Sequence, residues 1–283
     1  MKAETHKLIT ELALNAYIQA QRRGEADIFL NERYRQCVIE GTDWEDALSF
    51  DRLVNWHFYP ANDLLRIPLW GFVYANSSRI VAERQRELID EVQHGFSERL
   101  FTRFGRLLHH IQDMSTPSHV VPVYHGPGKP DPYEDYLTHD GDYLSRAHGA
   151  TWPALHEITP PDQFTDLYNS AAQITQAALS PAEMTVTLMI DGVPSQTNAG
   201  LFWLTHEQVN FDGEATKHYA HGFGGFGILG AHFGDTRVIS VGTHEYQISL
   251  QEFRRIAVAF FNKAIGDSIT ALRVFDAILA AHH

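Results

Sequence analysis

Cysteine is almost missing from this chain: Cys37 stands alone among 283 residues. That excludes an internal disulfide and any cysteine-rich zinc site, and it leaves the redox compartment open, since a secreted enzyme can do without disulfides. No run approaches the ~18 consecutive apolar residues that a membrane span needs. Met1-Lys2-Ala3 introduces no apolar stretch, so no signal peptide is expected in the chain as given. Positive charge is scarce as well. Lys and Arg number 22 against 35 Asp and Glu, a formal charge of −13, and no Lys/Arg run is interleaved with aromatics. The basic stripe that polynucleotide binders usually carry is therefore missing, which favours a lipid or a small phosphoester as partner. No repeat recurs at a fixed period and no linker divides the sequence. The glycines of 220–230 neither follow a clear strand nor open a helix at the required spacing, which rejects a phosphate-binding loop.

What is present reads as a mainly α protein. The composition, 44% hydrophobic with 20% charged, is that of a globular chain, and the length suffices for one large core. Helical periodicity covers roughly 4–22, 27–40, 77–94, 96–113, 163–180 and 249–281. Thr159-Pro160-Pro161-Asp162 and Ser249-Leu250-Gln251-Glu252 have the spacing of helix starts. The last helix carries a long apolar stripe that includes Phe253, Ile256, Phe260, Ile265, Ile269, Leu272, Phe275 and Leu279. Residues 184–248 differ and read as a small β-rich insertion. Its strands are 185–190 and 237–241, with turns at Asp191-Gly192 and Gly242-Thr243. Within it, Phe223, Phe226, Ile228 and Leu229 lie among glycines. Two readings stand for this segment: an interfacial loop that dips into lipid, or a loop folded onto the body or a subunit contact.

The richest stretch is His109-His110-Ile111-Gln112-Asp113-Met114-Ser115-Thr116-Pro117-Ser118-His119. Phe101, Phe104, Leu108 and Ile111 recur at three- and four-residue spacing, so the first half closes an amphipathic helix. On it His109 and Asp113 are four apart and share a face, and Gly105 one turn earlier leaves room on that face. Pro117 cannot sit in a helix interior, so the chain turns before it and His119 can swing back. Two imidazoles and a carboxylate converging from a rigid element suit a zinc-type ion. His110 faces about 100° away from His109 and reads as core or as a neighbour behind the ligands.

Other segments fall in order around this motif. Thr5-His6-Lys7 opens the first helix. Gly41-Thr42-Asp43-Trp44-Glu45-Asp46 precedes Asn55-Trp56-His57-Phe58-Tyr59-Pro60. His125-Gly126-Pro127 and Asp131-Pro132-Tyr133-Glu134 follow. Over roughly residues 5–140, with the final helix included, the chain resembles the zinc-dependent phospholipase C and single-strand nuclease superfamily, whose members share an all-helical fold holding three zinc ions.

That resemblance implies the site. His57, His109, Asp113 and Asp46 correspond to one zinc, and Asp46 also to the group that orients or deprotonates the attacking water. Asp43, Glu45 and Asp51 compete with Asp46 for that role, and any of them also reads as a solvated acid near a helix end. His119 and Glu134 correspond to a second zinc, with Asp131 and Asp135 as competitors to Glu134. The family's histidine four residues before that glutamate is Pro130 here, so His125 is its substitute and His139 the fallback. His6 and the bridging Asp113 correspond to a third zinc. In the family that ion also takes the amino terminus of a chain beginning with tryptophan. Here three outcomes stand: Met1's amine, water, or no third ion.

The expectation is thus a single metal-dependent domain over 1–283 holding two or three Zn2+. It would cleave phospholipid on the glycerol side of the phosphate, with Trp56, Phe58 and Tyr59 either walling a quaternary ammonium or packing in the core. The rivals are a single-strand-specific zinc nuclease, with metals supplying the positive charge, and a zinc-stabilised binding protein without activity. The family implies a secreted protein; without a signal peptide in the chain as given, a cytoplasmic origin is also compatible.

Overall fold

Helices form where apolar residues recur at helical spacing and where caps satisfy their first free N–H groups. In this computed structural model the described residues are 1–21, 28–45, 57–59, 64–67, 71–74, 77–121, 123, 125, 130–147, 163–179, 183–203 and 226–282. The helices with strong periodicity are α1 (Ala3–Gln21), α2 (Glu32–Trp44), α3 (Ser77–Val92), α4 (Glu98–Asp113), α8 (Gln163–Ala178) and α9 (Leu250–His282). Asn31 caps α2 by accepting from the Arg33 amide at 3.0 Å, Ser97 caps α4 through the Leu100 amide at 3.1 Å, and Ser249 accepts from the Glu252 amide at 3.2 Å. The helix-start signal at 159–162 lies outside the described residues. Between α4 and α8 come three short helices, α5 (Pro117–Val120), α6 (Pro132–His139) and α7 (Gly141–Ala147), too brief for periodicity to reveal.

The expected second helix, 27–40, is divided. A single 3-10 turn, Ile28–Leu30, precedes α2, and α2 runs on to Trp44. Gly41 does not stop it because the missing Cβ serves packing. A Cβ on Gly41 would overlap the Thr102 carbonyl oxygen of α4, and one on Gly105 would overlap the Val38 carbonyl oxygen of α2. The two glycines let the helix backbones touch. The space expected beside Gly105 is therefore filled by α2, not left to the site. Behind this pair, α9 packs against α1, α4 and α8, with Phe275 stacked on Phe104 at 4.2 Å and edge-on to Phe101 at 5.7 Å.

A two-stranded ribbon joins β1 (Leu64–Ile67) to β2 (Gly71–Tyr74), and a four-stranded antiparallel sheet has the order β4-β3-β6-β5. The sheet's strands are β3 (Thr185–Ile190), β4 (Val193–Asn198), β5 (Ile239–Val241) and β6 (His244–Ile248). The two expected strands are present, the second shortened to its last three residues. β4 and β6 escaped notice because Pro194-Ser195-Gln196-Thr197 and His244-Glu245-Tyr246-Gln247 carry too few apolar residues to alternate. Asp191 and Gly192, at φ 51° and 77°, make the left-handed two-residue turn that suits a hairpin. Of the glycine- and phenylalanine-rich segment, 220–225 lie outside the described residues. The remainder folds onto the body: the Gly227 amide donates to the Phe202 carbonyl at 3.0 Å, and Leu229 is buried.

Candidate metal centre

The last turn of α4 places fully buried His109, His110 and Asp113 inside the helical body. Ionised groups persist there only when paired or bound to a cation. The helix ends in a turn at 114–116, and Pro117 opens α5 as its first residue, where a missing N–H costs nothing. This reversal returns His119 toward α4. Asp131 caps α6 by accepting from the Tyr133 amide at 2.9 Å, which sets Glu134 in that helix's first turn. The stretch 57–59 is tied to α5 by the Tyr59 amide, which donates to the His119 carbonyl at 2.8 Å.

The imidazoles share one design. His109 Nδ1 donates to the Thr42 carbonyl at 2.6 Å, His119 Nδ1 to the His57 carbonyl at 2.8 Å, His125 Nδ1 to the Val123 carbonyl at 2.8 Å, and His6 Nδ1 to Gln112 Oε1 at 2.7 Å. With Nδ1–H committed outward, each Nε2 is turned inward as the metal-binding nitrogen; such backing is typical of histidine ligands. Gln112 is itself oriented, because its amide donates to Thr10 Oγ1 at 2.9 Å and Ser268 Oγ at 3.1 Å.

The inward atoms converge on two carboxylates. Asp113 Oδ2 lies 2.8 Å from His57 Nδ1, 3.2 Å from His109 Nε2 and 3.5 Å from His119 Nδ1. Its Oδ1 lies 3.0 Å from the Met1 amine and 3.3 Å from His6 Nε2. Glu134 Oε1 lies 3.0 Å from His119 Nε2, 3.4 Å from His125 Nε2 and 3.0 Å from the Met1 amine. Two pairs of ring nitrogens face each other, His57 Nδ1 with His109 Nε2 at 2.9 Å and His119 Nε2 with His125 Nε2 at 3.1 Å. Lone pairs so close repel unless a proton or a metal stands between them.

The electrostatics point the same way. Burial opposes ionisation of Asp113, but His119, the Met1 amine and His109 outweigh it and hold the carboxyl well below its usual range. Burial opposes ionisation of Glu134 too, and the Met1 amine and His125 reverse it. Burial lowers His57 to about 4 against the pull of Asp113. For His119, burial is outweighed by Asp113 and Glu134, and the ring is raised to about 9. The cluster thus offers two anionic carboxylates among the histidines.

The donor set fits divalent ions. Among the described residues three groups have donor atoms within 4.8 Å of one another: His6, His109 and Asp113; His57, His110 and Asp113; and His119, His125 and Glu134. Nitrogen and oxygen donors in threes, with positions left for water or substrate, are the pattern of catalytic zinc. The Nε2 atoms of His6 and His57 and both ring nitrogens of His110 are buried without a hydrogen bond, which a structure tolerates poorly unless something else binds there.

Seven of the eight residues singled out in sequence meet here: His6, His57, His109, Asp113, His119, His125 and Glu134. Asp46 lies outside the described residues, as do Asp51 and Trp56. His125 stands beside Glu134 whereas the fallback, His139, is exposed. Asp131 serves as a cap and Asp135 pairs with Lys2. Glu45 is no solvated acid. It is buried, accepting from Arg84 Nε at 2.9 Å and Arg106 Nε at 2.6 Å. Phe58 is buried against the rings of His119 and His125. His110, read as lying behind the ligands, joins one of the three groups. Its i,i+3 spacing to Asp113 was the available signal, because three- and four-residue neighbours both flank a helical position.

No known family's sequence profile matches the chain, and no curated protein matches it in sequence. Among solved structures it is similar to the Clostridium perfringens alpha-toxin from avian strain SWCP, with a TM-score of 0.55 and 11% identity over 98% of this chain and 64% of that one. The chain thus spans less than two thirds of the toxin's length. At that identity the likeness is one of fold: a helical body with a small antiparallel sheet.

Proposed function

We propose that this chain is a single zinc-dependent phosphodiesterase domain, a phospholipase C-like hydrolase that cleaves phospholipid on the glycerol side of the phosphate. One observation carries the reading: four imidazoles with Nδ1 anchored to carbonyl oxygens turn Nε2 inward onto two buried carboxylates. Such preorganisation has little structural purpose in a hydrophobic core. The phospholipase C and nuclease resemblance supports this reading, since seven of the eight residues it singles out, with His125 in place of the family's histidine, lie together here. Asp46 is kept as the group that orients the attacking water.

Zn2+ held by these groups would supply positive charge for the phosphate oxygens and the departing alkoxide and would make water acidic enough to attack near neutral pH. The protein's part is to hold the donors. Asp113 presents Oδ2 to His57 and His109 and Oδ1 to His6 and the Met1 amine. Glu134 gathers His119 and His125. The hydrogen bonds to Thr42, Val123, His57 and Gln112 fix each ring so that no reorganisation accompanies the reaction.

The net charge of −13 and the missing basic stripe favour a lipid over a polynucleotide. Among the described residues no helix is long and apolar enough to cross a membrane, so the substrate would be met at a surface. The test is hydrolysis of phosphatidylcholine vesicles and of single-stranded nucleic acid by one preparation, before chelation, after chelation and after zinc return. Zinc-dependent release of phosphocholine supports the reading. Zinc-dependent cleavage of nucleic acid alone makes the chain a nuclease, and activity on neither substrate removes the assignment.

A further inference from the structure

His110 is fully buried and neither ring nitrogen makes a hydrogen bond. A ring desolvated on all sides without a partner is costly, and apolar residues fill the neighbouring α4 positions at 107, 108 and 111. An apolar side chain would serve better here if packing were the only demand. Three further observations show what the ring faces. Its plane lies 22° from that of His57, with ring centres 5.2 Å apart. It forms a group with His57 and Asp113 whose donor atoms all lie within 4.8 Å of one another. And its Nε2 points toward Glu45 Oε2 at 3.7 Å.

Glu45 completes the picture. Arg84 and Arg106 both donate to its Oε1, which leaves Oε2 for His110. A carboxylate behind an imidazole whose other nitrogen faces a metal position is a recurring arrangement; it fixes the tautomer and raises the ring's basicity. Glu45 caps the C-terminal end of α2, about one turn beyond Thr42, the residue whose carbonyl backs His109. The end of α2 therefore supplies a backing group to each of two adjacent histidines on α4. The backbone contact at Gly41 and Gly105 brings it close enough to do so.

We infer that His110 is a metal ligand, binding the same ion as His57 and Asp113, with Glu45 as its outer anchor. This rests on the metal-centre reading above and adds to it a ligand outside the set that the family resemblance implies. Nε2–H turns to Glu45, and Nδ1 is the nitrogen left for the ion. His109, whose Nε2 lies near both His57 and the His6 side, is then free to serve the ion shared by His6 and Asp113.

The test uses the full chain stripped with chelator and titrated with Zn2+ by calorimetry, alongside the visible absorption of the Co2+-loaded protein. His110→Gln and His110→Phe should each bind one ion fewer than wild type and lose part of the Co2+ spectrum. Glu45→Gln should keep the stoichiometry but weaken one ion about 10–100-fold. Circular dichroism establishes that each variant is folded. If both His110 variants unfold, Glu45→Gln carries the test alone, and unchanged affinities there overturn the inference. Folded His110 variants with wild-type stoichiometry, affinities and Co2+ spectrum also overturn it and make His110 a core residue. A wild-type chain that takes up no metal at all instead removes the metal-centre reading beneath it.

Discussion

Two histidine–aspartate pairs of nearly equal length occupy opposite surroundings. His57 Nδ1 meets Asp113 Oδ2 at 2.8 Å in the buried helical core, and His244 Nδ1 meets Asp191 Oδ2 at 2.7 Å on the sheet. The sheet pair is half exposed, and it ties the β3–β4 turn to β6. The side chain of His244 and the Glu245 amide both donate to Asp191, which pulls that carboxyl below its ordinary value. There the pair pins a hairpin turn beside solvent. In the core the same contact is one of many converging on a single, fully buried carboxylate. Contact length does not distinguish a site from a turn. Burial and the number of converging donors do.

The comparison breaks first at Asp113. Asp113→Asn removes the charge shared by His6, His57, His109 and His119, so bound metal should be lost and hydrolysis fall to background. Leaving buried groups without their counterion should also cost about 3–5 kcal/mol of stability, measurable by denaturant unfolding with metal analysis of the folded protein. An Asp113→Asn chain with wild-type metal content would show that the carboxylate is structural.

A smaller effect should follow from His125. His125→Ala is expected to shed the ion gathered by His119 and Glu134 and to lower activity without unfolding the chain, while the exposed His139→Ala behaves as wild type. Metal analysis of the two variants checks this, and the reverse outcome would return the ligand role to His139.

Gly105→Ala probes the scaffold, not a ligand. Its methyl group must displace the Val38 carbonyl, so a loss of about 1–3 kcal/mol is expected in the unfolding midpoint. A modest weakening of metal binding should accompany it as the Thr42 carbonyl moves from His109. The smallest effect belongs to the sheet: His244→Ala should leave metal content and hydrolysis unchanged.

The helical body was legible because its apolar residues recur with helical period over many turns, and Ser249 marks the start of the last helix. β4 and β6 were not, since polar strands against a half-solvated sheet carry no alternation. The site was legible where spacing on one helix sufficed, as for His109 and Asp113, or where a proline forced a reversal, as for His119. The choice of His125 over His139 depends on loop geometry that spacing cannot give. Glu45 was misread as a solvated acid because its two arginines, 39 and 61 residues away in sequence, meet it only in the fold. His110 was set aside because its 100° offset from His109 was weighed without its three-residue spacing to Asp113. Gly41, which reads as a helix stop, is a helix contact for the same reason: its partner lies on another element.

The central claim, that the buried histidines and carboxylates are a metal centre and not an unusual polar core, is tested most directly by metal content. The chain purified without chelator should carry two or three Zn2+, lose them together with hydrolytic activity on chelation, and regain both when zinc is returned. A chain that carries no metal, takes up none, and keeps its stability and activity unchanged in chelator would contradict it.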